Sequence, residues 1–463
     1  MQFVTNLRSQ TIETFAEQSY QPHAWLLSSH RLSNSTLRHA LMLREQGHTL
    51  FADNGTKKLI EETLDRFGAE ANVIQNELRQ VRRQVDRVPR GRDVPAGLRR
   101  WAADLAERVV ADCVERSEAI DWQTLLADQL SMRPTHLIAQ EDFATACLIG
   151  LSLERETTGW RIEKFTQRNE RSLRLWRRVA EHPDCSDVHV YAVLSAMDYN
   201  TARTAGRAAA AAGVTHVALG IASITLDGTA TDFYVMGRGS CRLPAPAPRR
   251  YVRFAQVARG IADGYRESGR ALPAFHALGL GAPTLFPILA GAMSAETFVT
   301  IDATSPIHDA VRDHVLYEHQ RNADRTTLLK IARAVVQGQD WSFACPFCQA
   351  FREKYGHDAA AAQAWWQAQG QPTVTEAHLH WMEPLGQALP LLADLPLAAA
   401  ADASHTHIAH NHWVITDLAE NMPAGAARQA WARQQLEEMA GYESLTVRRG
   451  LTAAREILFA HPS

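Results

Sequence analysis

The sequence predicts an α/β protein whose core is a (β/α)8 TIM-type barrel. Short apolar runs recur between long helical patterns, the runs are continuous, and several end on an acidic residue or a glycine. Alternation of strand and helix implies a parallel sheet. Unbroken apolar runs imply strands covered on both faces. Acidic strand ends imply chemistry at the C-terminal rim, where the βα loops of such barrels converge.

In chain order the runs are AWLLSS (24–29), TLFADNG (49–55), HLIAQED (136–142), HVYAVLS (189–195), HVALGIAS (216–223), AFHALGLG (274–281) and TFVTIDAT (297–304). Seven strands leave a closed barrel one short. The eighth is expected at DFYVMG (232–237) or in a stretch whose pattern does not reveal it, and a doubly wound open sheet is the alternative. After the second of these strands, RQVRRQVDRVPRGRDVPAGLRR (79–100) holds eight arginines with two prolines and two glycines, and reads as a basic, partly irregular insertion at about 78–100. LPAPAPRRYVR (243–253) is a second Pro-rich basic link. RIEKFTQRNERSLRLWRRVAEH (161–182) has the spacing of an amphipathic helix, with Phe165, Leu173, Leu175 and Trp176 toward the core. The pattern changes near residue 336, so the expected division is a barrel over 1–335, a separate subdomain over 336–415 and closing helices over 416–463.

With 46% apolar residues the chain has material for a large core, and disorder is not expected. A formal charge of −3 means that a polyanionic partner must be held by local basic patches. The opening MQFVTNLRSQTIETF has no apolar signal core, and ALPLLADLPLAAAA is broken by Asp394 and two prolines. The expectation is a cytoplasmic protein with no membrane span. Cys113, Cys147, Cys185 and Cys241 stand singly, whereas Cys345 and Cys348 form CPFC, a pattern suited to a metal or redox site.

Strand ends carry Asp53, Asp142, Ser195, Gly220 and Asp302. An aspartate opening a βα loop often does no more than cap the next helix. For Asp302 the capping alternative is weakened by Ser305, which is better placed before Pro306. A buried strand that ends on a carboxylate otherwise needs work for it, because desolvating an unpaired charge is costly. After CPFC come EAHLHWM and SHTHIAHNHWVITDLAENM. Two thiolates with one of His405, His407, His410 or His412 suit a tetrahedral structural Zn2+; buried thiols beside exposed histidines are the plainer alternative.

The combination resembles the tRNA-guanine transglycosylase superfamily. Five segments carry the likeness in that family's order: FADNG with Asp53, AQEDF with Asp142, the helix RNERSLRLWRRV, HVALGIAS with Gly220, and HALGLGAP with Gly279 leading into FVTIDATSP with Asp302. CPFC and HNHW follow, where the family has a cysteine cluster and a zinc-binding His-Asn. The resemblance implies base exchange on a polynucleotide, with Asp302 attacking C1′ and holding the sugar covalently, and Asp53 handling protons. It implies that Asp142 reads the guanine edge, Gly220 admits backbone donors to the ring, Phe143 stacks on a flipped base, and Ser195 stands where the family has a glutamine. Structural Zn2+ on Cys345, Cys348 and His410, with a fourth group such as His407 or His378, is implied as well.

Departures from the family point to the polymer. ThrSerProIleHisAsp (304–309) replaces the Pro-Thr-Arg that grips an anticodon loop, and Phe343 replaces the first cysteine of the cluster. Together with ADNG, this is more like the DNA-guanine transglycosylase branch. DNA is therefore the favoured partner, tRNA the alternative, and the incoming base a free 7-deazaguanine. Arg82, Arg83, Arg249 and Arg250 are the expected phosphate contacts. A homodimer, accessory DNA-modification proteins, and a role as a non-catalytic partner subunit are further expectations that the resemblance raises.

Overall fold

The computed structural model describes residues 1–16, 21–85, 93–153, 162–224, 226–235, 239–311, 315–320, 325–330, 345–347, 350, 397–442 and 445–460. Eight parallel strands close into a barrel in the order β1-β10-β9-β6-β5-β4-β3-β2. They are β1 (Gln2–Asn6), β2 (Ala24–Ser28), β3 (Thr49–Asp53), β4 (His136–Ile138), β5 (His189–Leu194), β6 (His216–Gly220), β9 (Ala274–Leu278) and β10 (Phe298–Ala303). All seven expected strands are among them. The eighth is β1, whose QFVTN is too short and too polar to stand out as an apolar run. DFYV belongs instead to β7 (Thr229–Val235), which pairs antiparallel with β8 (Gly239–Pro248) in a hairpin outside the barrel. Its burial alternates, as expected of a ribbon with one covered face.

Rings fill the lower part of the barrel. Phe51 stacks on His136 at 4.3 Å between centroids and on His276 at 5.1 Å, and His189 stacks on His216 at 4.6 Å. Tyr191 meets His216 edge-on, and His276 Nδ1 lies 2.7 Å from Thr300 Oγ1. Burial pushes His136 down to about 3 and His216 to about 4, so both rings are neutral fillers at neutral pH. Side chains alternate along a strand. Asp53 therefore leaves β3 on the same side as Phe51, and Asp302 leaves β10 on the same side as Thr300.

Helices alternate with the strands: α1 (Ser9–Phe15), α2 (Asn34–Glu45), α3 (Thr56–Val85), α4 (Ala96–Ala119), α5 (Trp122–Ser131), α6 (Ala144–Gly150), α7 (Ile162–Ala180), α8 (Tyr199–Ala211), α9 (Arg249–Glu267), α10 (Phe286–Ala292) and α11 (Ser305–Val311). Residues 86–92 of the basic insertion lie outside the described residues, and its two flanks are helical. Arg79 to Val85 continue α3, and α4 begins directly after Pro95. Trp101 Nε1 and Arg108 Nη2 both donate to Glu70 across the α3–α4 pair at 2.6 Å.

By contacts the chain groups into two compact units. One comprises 26–280, 287–300 and 423–463, and here α13 (Ala426–Tyr442) and α14 (Leu445–Phe459) pack against each other and α14 against α9. Arg428 donates to the Thr297 and Ser294 carbonyls, and Arg259 to Leu458 O. The other comprises 1–25, 281–286 and 301–422, with the hairpin β11 (Val315–Gln320) and β12 (Arg325–Lys330) and the helix α12 (Leu397–Glu420). Among the described residues no helix is long and apolar enough to cross a membrane.

Helices α8 and α9 cross backbone to backbone because glycines line the crossing. A Cβ at Gly264 would lie 2.4 Å from Arg203 O, one at Gly260 2.6 Å from Tyr199 O, and one at Gly206 2.5 Å from Ile261 O. Gly264→Ala must push the helices apart, and its expected cost is about 2–3 kcal/mol. Gly68→Ala, where an added Cβ meets nothing within 4 Å, should instead raise stability by about 0.5–1 kcal/mol. Chemical denaturation of the two variants checks the contrast.

Candidate active site

The end of β3 is built by four consecutive residues with different tasks. Asp53 closes the strand. Asn54, buried, donates from Nδ2 to Ala139 O at 2.7 Å and accepts the Thr56 N–H at 2.9 Å, tying β3 to the exit of β4 and starting α3. Gly55 has φ +77, and a Cβ there would meet Ser29 Oγ at 2.9 Å, so both its conformation and its neighbours require glycine. Asp53 Oδ2 accepts the Ser28 hydroxyl at 2.7 Å and the Gly55 N–H at 3.3 Å. Both donors are neutral, and they orient the carboxylate.

Beyond β4 the chain carries Gln140, Glu141 and Asp142 in succession, all buried. Asp142 is fully engaged: Oδ2 pairs with Arg171 of α7, Oδ1 accepts the Ala144 N–H at 3.1 Å, and its own N–H donates to Ser172 Oγ at 3.0 Å. Asp142 thus accepts the first N–H of α6 from a position just before the N-cap Phe143, with an arginine added. Phe143 is 2% exposed and packs among Ala71, Ile74, Leu105 and Leu148, so its ring is core between α3, α4 and α6 instead of a stacking platform. Glu141, which sequence reasoning passed over for its neighbour, lies near both Asp53 and Asp142. Desolvation and those two carboxylates raise it to about 8, leaving it protonated at neutral pH. Its only signal in the sequence was a second acid in AQED.

Helix α7 organises the next strand end. Asn169 Nδ2 donates to Ser195 O and its Oδ1 accepts the Ser195 N–H, both at 2.9 Å. Arg168, 3% exposed, donates to Thr145 Oγ1 at 3.0 Å. Ser195 is itself buried. Gly220 has φ −73, and a Cβ there would meet only Ser223 Oγ at 3.6 Å, so the space beside it is open and not sterically closed. Gly279, at φ +78, needs glycine for its backbone.

Asp302 lies within β10 and not at a helix cap. Its Oδ2 accepts the Asn6 amide at 3.2 Å, and the same amide nitrogen donates to Ala303 O at 3.3 Å. Asn6 is the last residue of β1 and is fixed by Thr11, whose hydroxyl donates to Asn6 O at 2.7 Å. The turn into α11 is made by Thr304, whose carbonyl accepts the Ile307 and His308 N–H groups. Ser305, the expected cap, packs its hydroxyl where a side chain on Gly281 would stand.

The late segment brings together part of the expected metal set. His410, fully buried on α12, has Nε2 2.6 Å from Tyr317 O and Nδ1 3.0 Å from Cys345 Sγ. A carbonyl only accepts, so Nε2 carries the proton and Nδ1 turns its lone pair to the sulfur. An imidazole oriented by a backbone carbonyl beside a thiol is the arrangement that a thiolate–imidazole zinc site uses. Cys345 and His410 thus supply the two ligand types that such a site combines. Cys348 and His378 lie outside the described residues, and among the described residues no three His, Cys, Asp or Glu groups converge on a metal position. The histidine ambiguity narrows: His412 packs edge-on to Phe3 and Phe15, and His405 pairs with Glu13.

Of the expected phosphate contacts, Arg249 is half-buried and donates to Thr229 O at 3.1 Å, bracing the β7–β8 hairpin. Arg250 is exposed with its guanidinium 5.3 Å from the Tyr251 ring centroid, and Arg83 is exposed on α3. The side chain of Arg82 lies outside the described residues.

Glu141 makes stability fall with alkali. Its folded value of about 8 exceeds the ordinary 4.5, so the folded state holds an extra proton between the two. The stabilisation is complete below about pH 4.5 and is lost as pH rises through about 8. Glu141→Gln should flatten the fall in melting temperature between pH 6 and 9 and leave the variant more stable than wild type at pH 9, by about 1–3 kcal/mol.

A scan against models of known protein families finds no match to this chain, and a search of curated proteins finds none. The functional reading therefore rests on the residues and their geometry.

Proposed function

We propose that the chain is a base-exchange transglycosylase that replaces guanine in a polynucleotide, with DNA as the polymer, by a 7-deazaguanine base. One observation carries the reading: two strands of a closed parallel barrel present carboxylates at or next to their C-terminal ends, Asp53 on β3 accepting from Ser28 and Gly55, and Asp302 on β10 accepting from Asn6. Exchange with retention takes two inversions at C1′. Asp302 attacks C1′ and forms a glycosyl ester while the old base departs. The incoming base then displaces the carboxylate. Asp53 gives a proton to the departing base and takes one from the incoming base. For Asp142 to accept from a guanine edge, Arg171 must release it, so base binding on this reading opens an ion pair.

Zinc belongs to the proposal as a structural element that Cys345, Cys348 and His410 would hold, and it would cross-link the segment carrying the two cysteines to α12. Its chemistry lies away from C1′. The purified protein should contain about one zinc per chain, and Cys345→Ala or His410→Ala should lower that content. A strong chelator should lower the melting temperature of wild type and leave that of Cys345→Ala unchanged. Metal analysis and thermal melts read both.

The test of function is incubation with labelled guanine and separate pools of duplex DNA and tRNA. Label is expected in DNA. Label only in tRNA would move the substrate to the alternative polymer, and label in neither would favour a non-catalytic nucleic-acid-binding subunit. Asp302→Ala should reduce incorporation by at least about 10³-fold with DNA affinity within about twofold of wild type. A denaturing gel of wild type with DNA should show a covalent protein–DNA band that the variant lacks.

A further inference from the structure

Asp53 is tied to more than the strand that carries it. Ser28 Oγ, at the end of β2, lies 2.7 Å from Asp53 Oδ2 and 2.7 Å from His30 Nδ1. A hydroxyl has one proton to give, and the carboxylate can only accept it. The Ser28 oxygen must therefore receive from His30, whose Nδ1 carries the proton. The far nitrogen agrees: Arg31 Nε–H donates to His30 Nε2 at 3.2 Å, so Nε2 presents a lone pair. Ser28 is buried at 7% exposure, whereas His30 is exposed. The result is a directed chain from solvent to the carboxylate, with Gly55 packed beside the His30 ring.

We propose that Ser28 and His30 are a proton relay joining Asp53 to solvent. The assignment rests on the reading of Asp53 as the proton-handling group. Neither residue touches substrate; both act through Asp53. In the loading step the Arg31 Nε–H bond to His30 Nε2 opens and a solvent proton takes its place on Nε2, the Nδ1 proton passes to Ser28 Oγ, and the Ser28 proton passes to Asp53 Oδ2. One proton enters and one reaches the carboxylate, leaving His30 neutral with its proton on Nε2. After Asp53 has taken the proton of the incoming base, the chain runs backward through Nδ1 and releases Nε2–H to water. The charged groups facing His30 are Arg31, Asp53, Lys58 and Glu61. Burial, then Arg31, lower its value from 6.5, with Asp53 and Glu61 opposing, so the ring is neutral and able to cycle at neutral pH.

The relay makes the acid limb of the exchange rate belong to His30. As pH falls through its value the ring fills with protons; an Asp53 that has taken up a solvent proton after the old base leaves then has nowhere to pass it before the incoming base arrives, and kcat drops. His30→Ala should lower kcat by at least about tenfold at neutral pH, with KM within about twofold, and remove that limb. Added imidazole should restore His30→Ala and should not restore Ser28→Ala. Unchanged kcat and pH profile in His30→Ala would overturn the proposal. Histidine 15N spectra of the intact protein, assigned with His30→Gln, test the link whether or not base exchange is found. They should show the Nδ1–H form of His30 and a titration midpoint that moves down in Asp53→Asn. An Nε2–H form whose midpoint ignores both Asp53→Asn and Ser28→Ala would refute the relay and leave the transglycosylase reading standing, whereas absent label incorporation with the expected spectra would do the reverse.

Discussion

Closure of the sheet is the constraint on which the other features depend. A parallel strand needs neighbours on both sides and cover on both faces, and a closed barrel supplies both without leaving an edge. β1 completes the ring between β10 and β2. That position brings Asn6 to Asp302 across 296 residues of sequence and makes an N-terminal amide the holder of a late carboxylate. The interior below is filled by imidazole and aromatic rings, with His136 and His216 kept neutral by burial.

The strand-end acids illustrate three ways of keeping a carboxyl group in a confined place. Asp142 is neutralised by Arg171 and by a helix start. Asp53 stays near solvent and is oriented by a hydroxyl and a backbone N–H. Glu141, within reach of both charges, keeps its proton. Like charges so close cannot all ionise without cost, and the group with the least solvent yields first. Its protonated state is thus set first by its own burial and then by the two neighbouring carboxylates.

Much of the fold was legible because parallel strands advertise themselves as unbroken apolar runs, and all seven such runs are barrel strands. β1 was not, since two of its five residues are apolar and its burial comes from its place between two other strands. DFYV misled in the opposite direction, being apolar enough for a barrel strand but sitting in an antiparallel ribbon. Within the site, Asp53 and Asp302 could be found from where strands stop. Asn6, Ser28 and His30 could not, because their roles come from contacts across strands and no local pattern marks them. Phe143 shows the converse error: an aromatic beside an acid reads as a stacking platform, yet its ring is taken up by the packing of three helices.

The long separation between Asn6 and Asp302 also bears on how the molecule is made. The seam where β1 meets β10 joins parts of the chain that leave the ribosome hundreds of residues apart, and contacts so distant are slow to form. Until β10 emerges, β1 has a neighbour on one flank and an open edge on the other. During synthesis that edge is an aggregation hazard of the kind chaperones shield, and the polar Gln2, Thr5 and Asn6 in it are the residues that would make it less sticky while it waits.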